Sequence, residues 1–236
     1  MSTRITIQTE DGVAPAFVFG AKAAPRVLLL IDGIGMRAAM HALAERLSSE
    51  GFHVLMPDLF HRLGAYTAPD PRVLFSDPEV RAAWFARLKG TTADVLLRDI
   101  GAYLEHLGPA EVGVTGYCMG GRLALSAAAT YPDRIAAAAA YHPGGLVTDA
   151  ADSPHLTYDR IKAGVYIGAA TDDPGFTDAQ QKAVADLLAG AGVCHTIDVY
   201  PARHGWVPAD TPVHDEACAA RHWETLIALF RRALST

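Results

Sequence analysis

The sequence predicts an α/β fold: a mostly parallel, twisted sheet with helices on both faces and an antiparallel hairpin at its N-terminus. Three observations carry this. Short apolar runs alternate with helical runs along the chain, the pattern of βαβ units. The run Arg26 to Ile31 is continuously apolar after its first residue, which marks a strand buried on both faces of a parallel sheet. At Val112 to Ala124 a β-branched run passes through Gly-x-Cys-x-Gly straight into an Ala/Leu-rich run, the order strand, tight turn, helix.

Taken in order, Arg4 to Gln8 alternates like an edge strand, Glu10-Asp11-Gly12 is a turn, and Ala16 to Phe19 completes a hairpin. The buried run from Arg26 is left by the loop Asp32-Gly33-Ile34-Gly35, and Ala38 to Leu47 is an amphipathic helix closing near Gly51. Phe52 to Asp58 is a strand. Leu59 to Lys89 is irregular: Pro69, Pro71 and Pro78 break it, and Val80 to Leu88 is a short helix. A segment of this length between sheet strands usually covers a site. Thr92 to Leu107 is a helix ended by Gly108-Pro109, Glu111 to Thr115 a strand, and Cys118 to Tyr131 a helix. Strands follow at Ile135 to Tyr141, Gly164 to Gly168 and His195 to Tyr200, with helices at Asp178 to Ala189 and Asp215 to Leu234.

Residues 1–236, half of them hydrophobic, suit one domain with a sizeable core. The formal net charge of -6 and the lack of a basic run exclude nucleic acid as an expected partner. No apolar run reaches the roughly 18 residues of a membrane span. Three cysteines do not make a disulfide framework and fit a reducing compartment, and the first residues carry no signal-peptide pattern. The expectation is a cytoplasmic protein, a monomer or weak homo-oligomer, with neither membrane nor nucleic-acid partner. No metal set is visible among the scattered histidines, and no cofactor is expected.

The chemistry centres on Cys118. The turn Gly116-Tyr117-Cys118-Met119-Gly120 matches the nucleophile elbow of α/β-hydrolases, with sulfur in place of the hydroxyl. A strand-to-helix turn this sharp strains the central residue and excludes Cβ atoms on either side. The helix that follows points its free N–H groups at the side chain and favours an anion there. A cysteine nucleophile needs a base, and the base needs an acid to orient it. His204 follows the last strand, and Asp172 and Asp173 follow the strand before it, so nucleophile, acid and histidine occur in the order of a hydrolase. All fall at carboxyl ends of predicted parallel strands, where open α/β sheets bind ligands.

With these pieces assembled, the sequence resembles the dienelactone hydrolase family. The matching segments are Asp32-Gly33-Ile34-Gly35, Met56-Pro57-Asp58-Leu59-Phe60, Gly116 to Gly121, Asp173-Pro174-Gly175-Phe176-Thr177 and His204-Gly205-Trp206. The resemblance implies an α/β-hydrolase fold and a Cys-His-Asp hydrolase that cuts a small-molecule ester or lactone through an acyl-thioester. It implies Cys118 as nucleophile, His204 as base, and Asp173 rather than Asp172 as acid. It further implies backbone N–H groups of Gly33 and Met119 as the oxyanion hole. Asp32 stands where the family carries a thiol-modulating Glu one methylene longer. The family's dienelactone enzymes hold a substrate carboxylate with two arginines. Arg81 is a candidate for one; the second position carries Val207 and Pro208. Tyr117 and Trp206, with Trp84, Phe85 and Phe60, are candidates to line an apolar acyl pocket instead, and Arg122 reads as a charge on a helix face. A thioesterase or small peptidase would use the same triad. A non-catalytic relative with a redox-sensing thiol at Cys118 would not need the acid.

Overall fold

A computed structural model describes residues 2–234. Eight strands form one sheet: β1 (Ser2–Thr9), β2 (Gly12–Phe19), β3 (Arg26–Leu30), β4 (His53–Pro57), β5 (Val112–Tyr117), β6 (Ile135–Tyr141), β7 (Gly164–Ala170) and β8 (His195–Tyr200). Their spatial order is β1-β2-β4-β3-β5-β6-β7-β8. β1 and β2 pair antiparallel as the expected hairpin, β2 joins β4 antiparallel, and every pairing from β4 to β8 is parallel. The helices are α1 (Ala38–Ser49), α2 (Pro71–Ser76), α3 (Pro78–Arg87), α4 (Ala93–His106), α5 (Met119–Thr130) and α6 (Asp178–Gly190), which lie between strands, and α7 (Glu216–Ala233), which follows β8.

The core follows from the apolar runs. Val27 to Leu30, Val54 to Met56 and all of β5 are buried, as strands covered on both faces must be. β6 is the alanine-rich strand between β5 and β7, and its alanines from Ala137 to Ala140 are buried. Helix α6 starts with a capping box in which Thr177 and Gln180 satisfy one another's backbone N–H.

The segment 59–89 departs from expectation. Pro71 and Pro78 begin helices rather than break them. Each sits at the first turn, where its missing N–H has no intrahelical partner to lose, and each follows a capping aspartate. Asp70 accepts from the Arg72 N–H, and Asp77 from those of Glu79 and Val80. The result is the pair α2–α3, of which only the second is predicted. Trp84 on α3 pins this pair to the β3 loop by donating its indole N–H to the Gly33 carbonyl at 2.8 Å.

Candidate active site

The elbow is built by close backbone approach. A Cβ on Gly116 would lie 2.1 Å from the Gly120 carbonyl oxygen, and one on Gly120 would lie 2.4 Å from that of Leu30. Both contacts are to backbone, which cannot give way, so glycine is required and α5 starts hard against the end of β3. Cys118 takes the consequence: its φ is 53° and its ψ −113°, a conformation few L residues adopt. Its N–H donates to the Tyr141 carbonyl at 3.0 Å, which ties the elbow to the end of β6. The side chain is half-buried at the N-terminus of α5.

His204 and Asp173 reach the same place from the loops after β8 and β7. Asp173 is buried; its Oδ2 lies 2.6 Å from His204 Nδ1, and its Oδ1 accepts from the Gly175 N–H at 2.8 Å. Asp172, with a positive φ of 54°, is exposed and, among the described residues, makes no hydrogen bond to His204. With Nδ1 engaged by Asp173, Nε2 is the ring nitrogen left for Cys118, which lies near enough to act on the charge of His204. Burial works against a charge on His204. The hydrogen bond to Asp173, the nearby Cys118 and the Asp173 charge outweigh it and raise its pKa to about 10.

The oxyanion-hole candidates lie at the start of α5 and in the loop after β3. Met119 is the first residue of α5, so its N–H belongs to the unpaired donors of the helix start. Gly33 is held through its carbonyl by Trp84. Asp32, expected to modulate the thiol, is instead bound on both oxygens by Arg37, at 2.7 Å and 2.9 Å. It also caps the turn by accepting from the Ile34 N–H. Arg37 in turn grips Asp210, in the loop after His204, at 2.7 Å and 3.2 Å. The shorter side chain of Asp and a local arginine together explain the changed partner. Neither the Arg37 nor the Asp210 contact is announced by sequence spacing.

The aromatic candidates separate cleanly. Tyr117 is buried, its ring stacked near Tyr141 and its hydroxyl bonded to His222 Nε2 at 3.1 Å. Trp206 is buried and stacked on Tyr200 at 4.8 Å, with its edge toward His142. Phe60 and Trp84 are buried too. These four belong to the core, because aromatic side chains on strand ends and helix undersides remove the most apolar surface by packing inward. Phe85 alone is open, 43% exposed, its Cε1 3.4 Å from where a Gly33 Cβ would sit. Arg81 is exposed on α3 and, among the described residues, makes no hydrogen bond or ion pair with the site. Two side chains that sequence reasoning passed over also stand here. His142, with a φ of 39°, is fully buried with its ring 5.2 Å from that of His204; burial and the neighbouring histidines hold its pKa well below the usual value. Phe75 on α2 borders an opening of about 660 Å³ that also reaches Asp173 and His204. Among the described residues no group of three or more His, Cys, Asp or Glu is arranged to hold a metal ion, and no helix is long and apolar enough to cross a membrane.

Comparison with known proteins meets this geometry. The profile of the dienelactone hydrolase family matches residues 14–234. The carboxymethylenebutenolidase of Rhodococcus opacus is 28% identical over 217 residues, 89% of this chain and 81% of that protein. A Klebsiella pneumoniae protein, solved as a candidate dienelactone hydrolase, superimposes with a TM-score of 0.85 at 20% identity, covering 98% of both chains. The thioesterase domain of the curacin biosynthetic pathway shares the fold at a TM-score of 0.69 and 11% identity, covering 97% of this chain and 99% of that one. The sheet with its N-terminal hairpin is therefore the α/β-hydrolase fold, and this chain, matched by the profile over nearly its whole length, belongs to the dienelactone hydrolase family, whose members are hydrolases of ester or lactone bonds.

Proposed function

We propose that the hydrolysis proceeds by covalent catalysis at Cys118 on a small-molecule carboxylic ester or lactone. The observation that carries this is the His204–Asp173 pair, closed at 2.6 Å and near Cys118 on its strained elbow. The Cys118 thiolate attacks the carbonyl carbon, and the N–H groups of Met119 and Gly33 stabilise the oxyanion, each donor typically contributing about 3 kcal/mol. As the C–O bond breaks, the His204 imidazolium donates its proton to the departing alkoxide and an acyl-thioester remains. Water then attacks the thioester, His204 takes its proton, and the acid departs as the thiolate reforms. Asp173 keeps the imidazole in one tautomer and offsets its charge throughout.

The test is to mix the protein with 4-nitrophenyl acetate, quench early, and weigh it by intact mass. A single added acetyl group mapped to Cys118, together with loss of turnover in Cys118→Ala, is the expected result. Unchanged turnover in that variant would end the proposal.

A further inference from the structure

We infer that Trp84 is a positioning residue for the oxyanion: by holding the Gly33 carbonyl, its indole N–H fixes where the Gly33 N–H stands relative to Cys118. This rests on the ester-hydrolase reading of Cys118. Strand register brings the Gly33 turn to the elbow. Leu30 pairs with Gly116 across adjacent parallel strands, which lie about 4.8 Å apart. The two chains therefore leave the sheet side by side, one toward Gly33 and the other toward Cys118. The start of α5 packs against the same place, since a Cβ on Gly120 would lie 2.5 Å from the Ile31 carbonyl oxygen.

The turn has one donor to spare. The Ile34 N–H donates to Asp32 Oδ1 at 3.0 Å, the Gly35 N–H to the Asp32 carbonyl at 3.3 Å, and the Met36 N–H to the Tyr66 hydroxyl at 3.1 Å. Gly33 is buried, and its N–H meets no acceptor among the described residues. A buried N–H is costly unless something accepts from it. The two bonds to Asp32 close the turn on itself, so it can shift as a unit. Its place against the elbow is set from outside. Arg37 holds it through Asp32 and the Gly35 carbonyl. Trp84 holds it through the Gly33 carbonyl at 2.8 Å. The indole is buried against Phe60 and Tyr66, with ring centroids 6.3 Å and 5.7 Å away. Among the described residues of α3, Trp84 alone is buried. The contact that docks this helix is thus the one that holds the oxyanion donor, and a shift of about 1 Å in such a group can cost on the order of a hundredfold in rate.

The experiment compares two reactions of Cys118 in Trp84→Phe. Hydrolysis of 4-nitrophenyl acetate passes through an oxyanion in both acylation and deacylation. Methyl methanethiosulfonate instead gives its methylthio group to the thiolate and releases methanesulfinate, so no oxyanion forms at carbon. For the ester, kcat is expected to fall about tenfold to a hundredfold with KM little changed, as for a group that acts only in the transition state. The rate of methylthiolation, mapped to Cys118 by mass, is expected to stay at the wild-type value. Benzothienylalanine in place of Trp84 keeps the bicyclic shape and lacks the N–H. It is expected to show the same split, without the cavity that phenylalanine leaves. Wild-type ester turnover in that protein, or an equal fall in both of its reactions, overturns the inference and leaves the Cys118 chemistry in place. Unchanged ester turnover in Cys118→Ala overturns the reading beneath it.

Discussion

Arg37 and Asp32 are joined at both ends, guanidinium nitrogens facing the two carboxylate oxygens at 2.7 Å and 2.9 Å, with both side chains nearly buried. Because Arg37 also holds Asp210, this pair fastens the Gly33 loop to the loop that carries His204. The spacing between Gly33 and His204, the proposed oxyanion donor and general base, thus depends on the Arg37 side chain.

Removing that side chain leaves a buried carboxylate without its partner. Arg37→Met is expected to lower unfolding free energy by about 3 kcal/mol and to reduce kcat with KM little changed. The double variant Arg37→Met/Asp32→Asn should regain most of the stability. Urea denaturation read beside steady-state kinetics checks both. A stable, fully active Arg37→Met would show that the clamp does not position the site.

The two neighbouring aspartates give a sharper contrast. Asp173→Asn cannot accept from both the Gly175 N–H and the His204 ring as the carboxylate does, and kcat is expected to fall by about 10³-fold or more. Asp172→Asn, exposed and outside the pair, should stay within about twofold of wild type, the range of a surface change. Equal losses in the two variants would contradict the assignment.

Stability should depend on pH from both sides. On the alkaline side, the folded pKa of His204 is raised to about 10 from 6.5. Its contribution is therefore fully present below about 6.5 and is lost as pH rises toward 10. His142 and His222 behave oppositely. Burial lowers both, His222 to about 3, so each is neutral when folded and takes a proton on unfolding as pH falls below 6.5. Unfolding midpoints in urea between pH 5 and pH 9.5 should peak near neutrality, and His204→Gln should flatten the alkaline limb. An alkaline limb of the same slope in that variant would refute the coupling.

Tyr117 tests the separation of core from pocket. Tyr117→Phe removes the hydroxyl that meets His222 Nε2 in a buried place. The expected cost is about 1–2 kcal/mol of stability, with kcat/KM for a small ester essentially retained. A raised KM at unchanged melting temperature would put Tyr117 against the substrate instead.

Read along the chain, the residues around Cys118 settle the strand, the elbow and the helix, because glycine spacing and apolar periodicity are local constraints that each act within a few residues. The same holds for the order of acid and histidine along the chain, and for the hairpin. Segment 59–89 was half legible: the Asp-Pro pairs at 70–71 and 77–78 carry a helix-start signal, yet proline read only as a breaker hides α2. Tertiary packing alone decided the rest. Which aspartate meets His204 is set by where two loops pass one another. Asp32 turns to Arg37, which bridges it to Asp210, 173 positions from Arg37. Tyr117 and Trp206 go inward while Phe75 and Phe85 stay open, because burial is a property of the assembled layers, and no local rule along the chain measures what will lie above a ring.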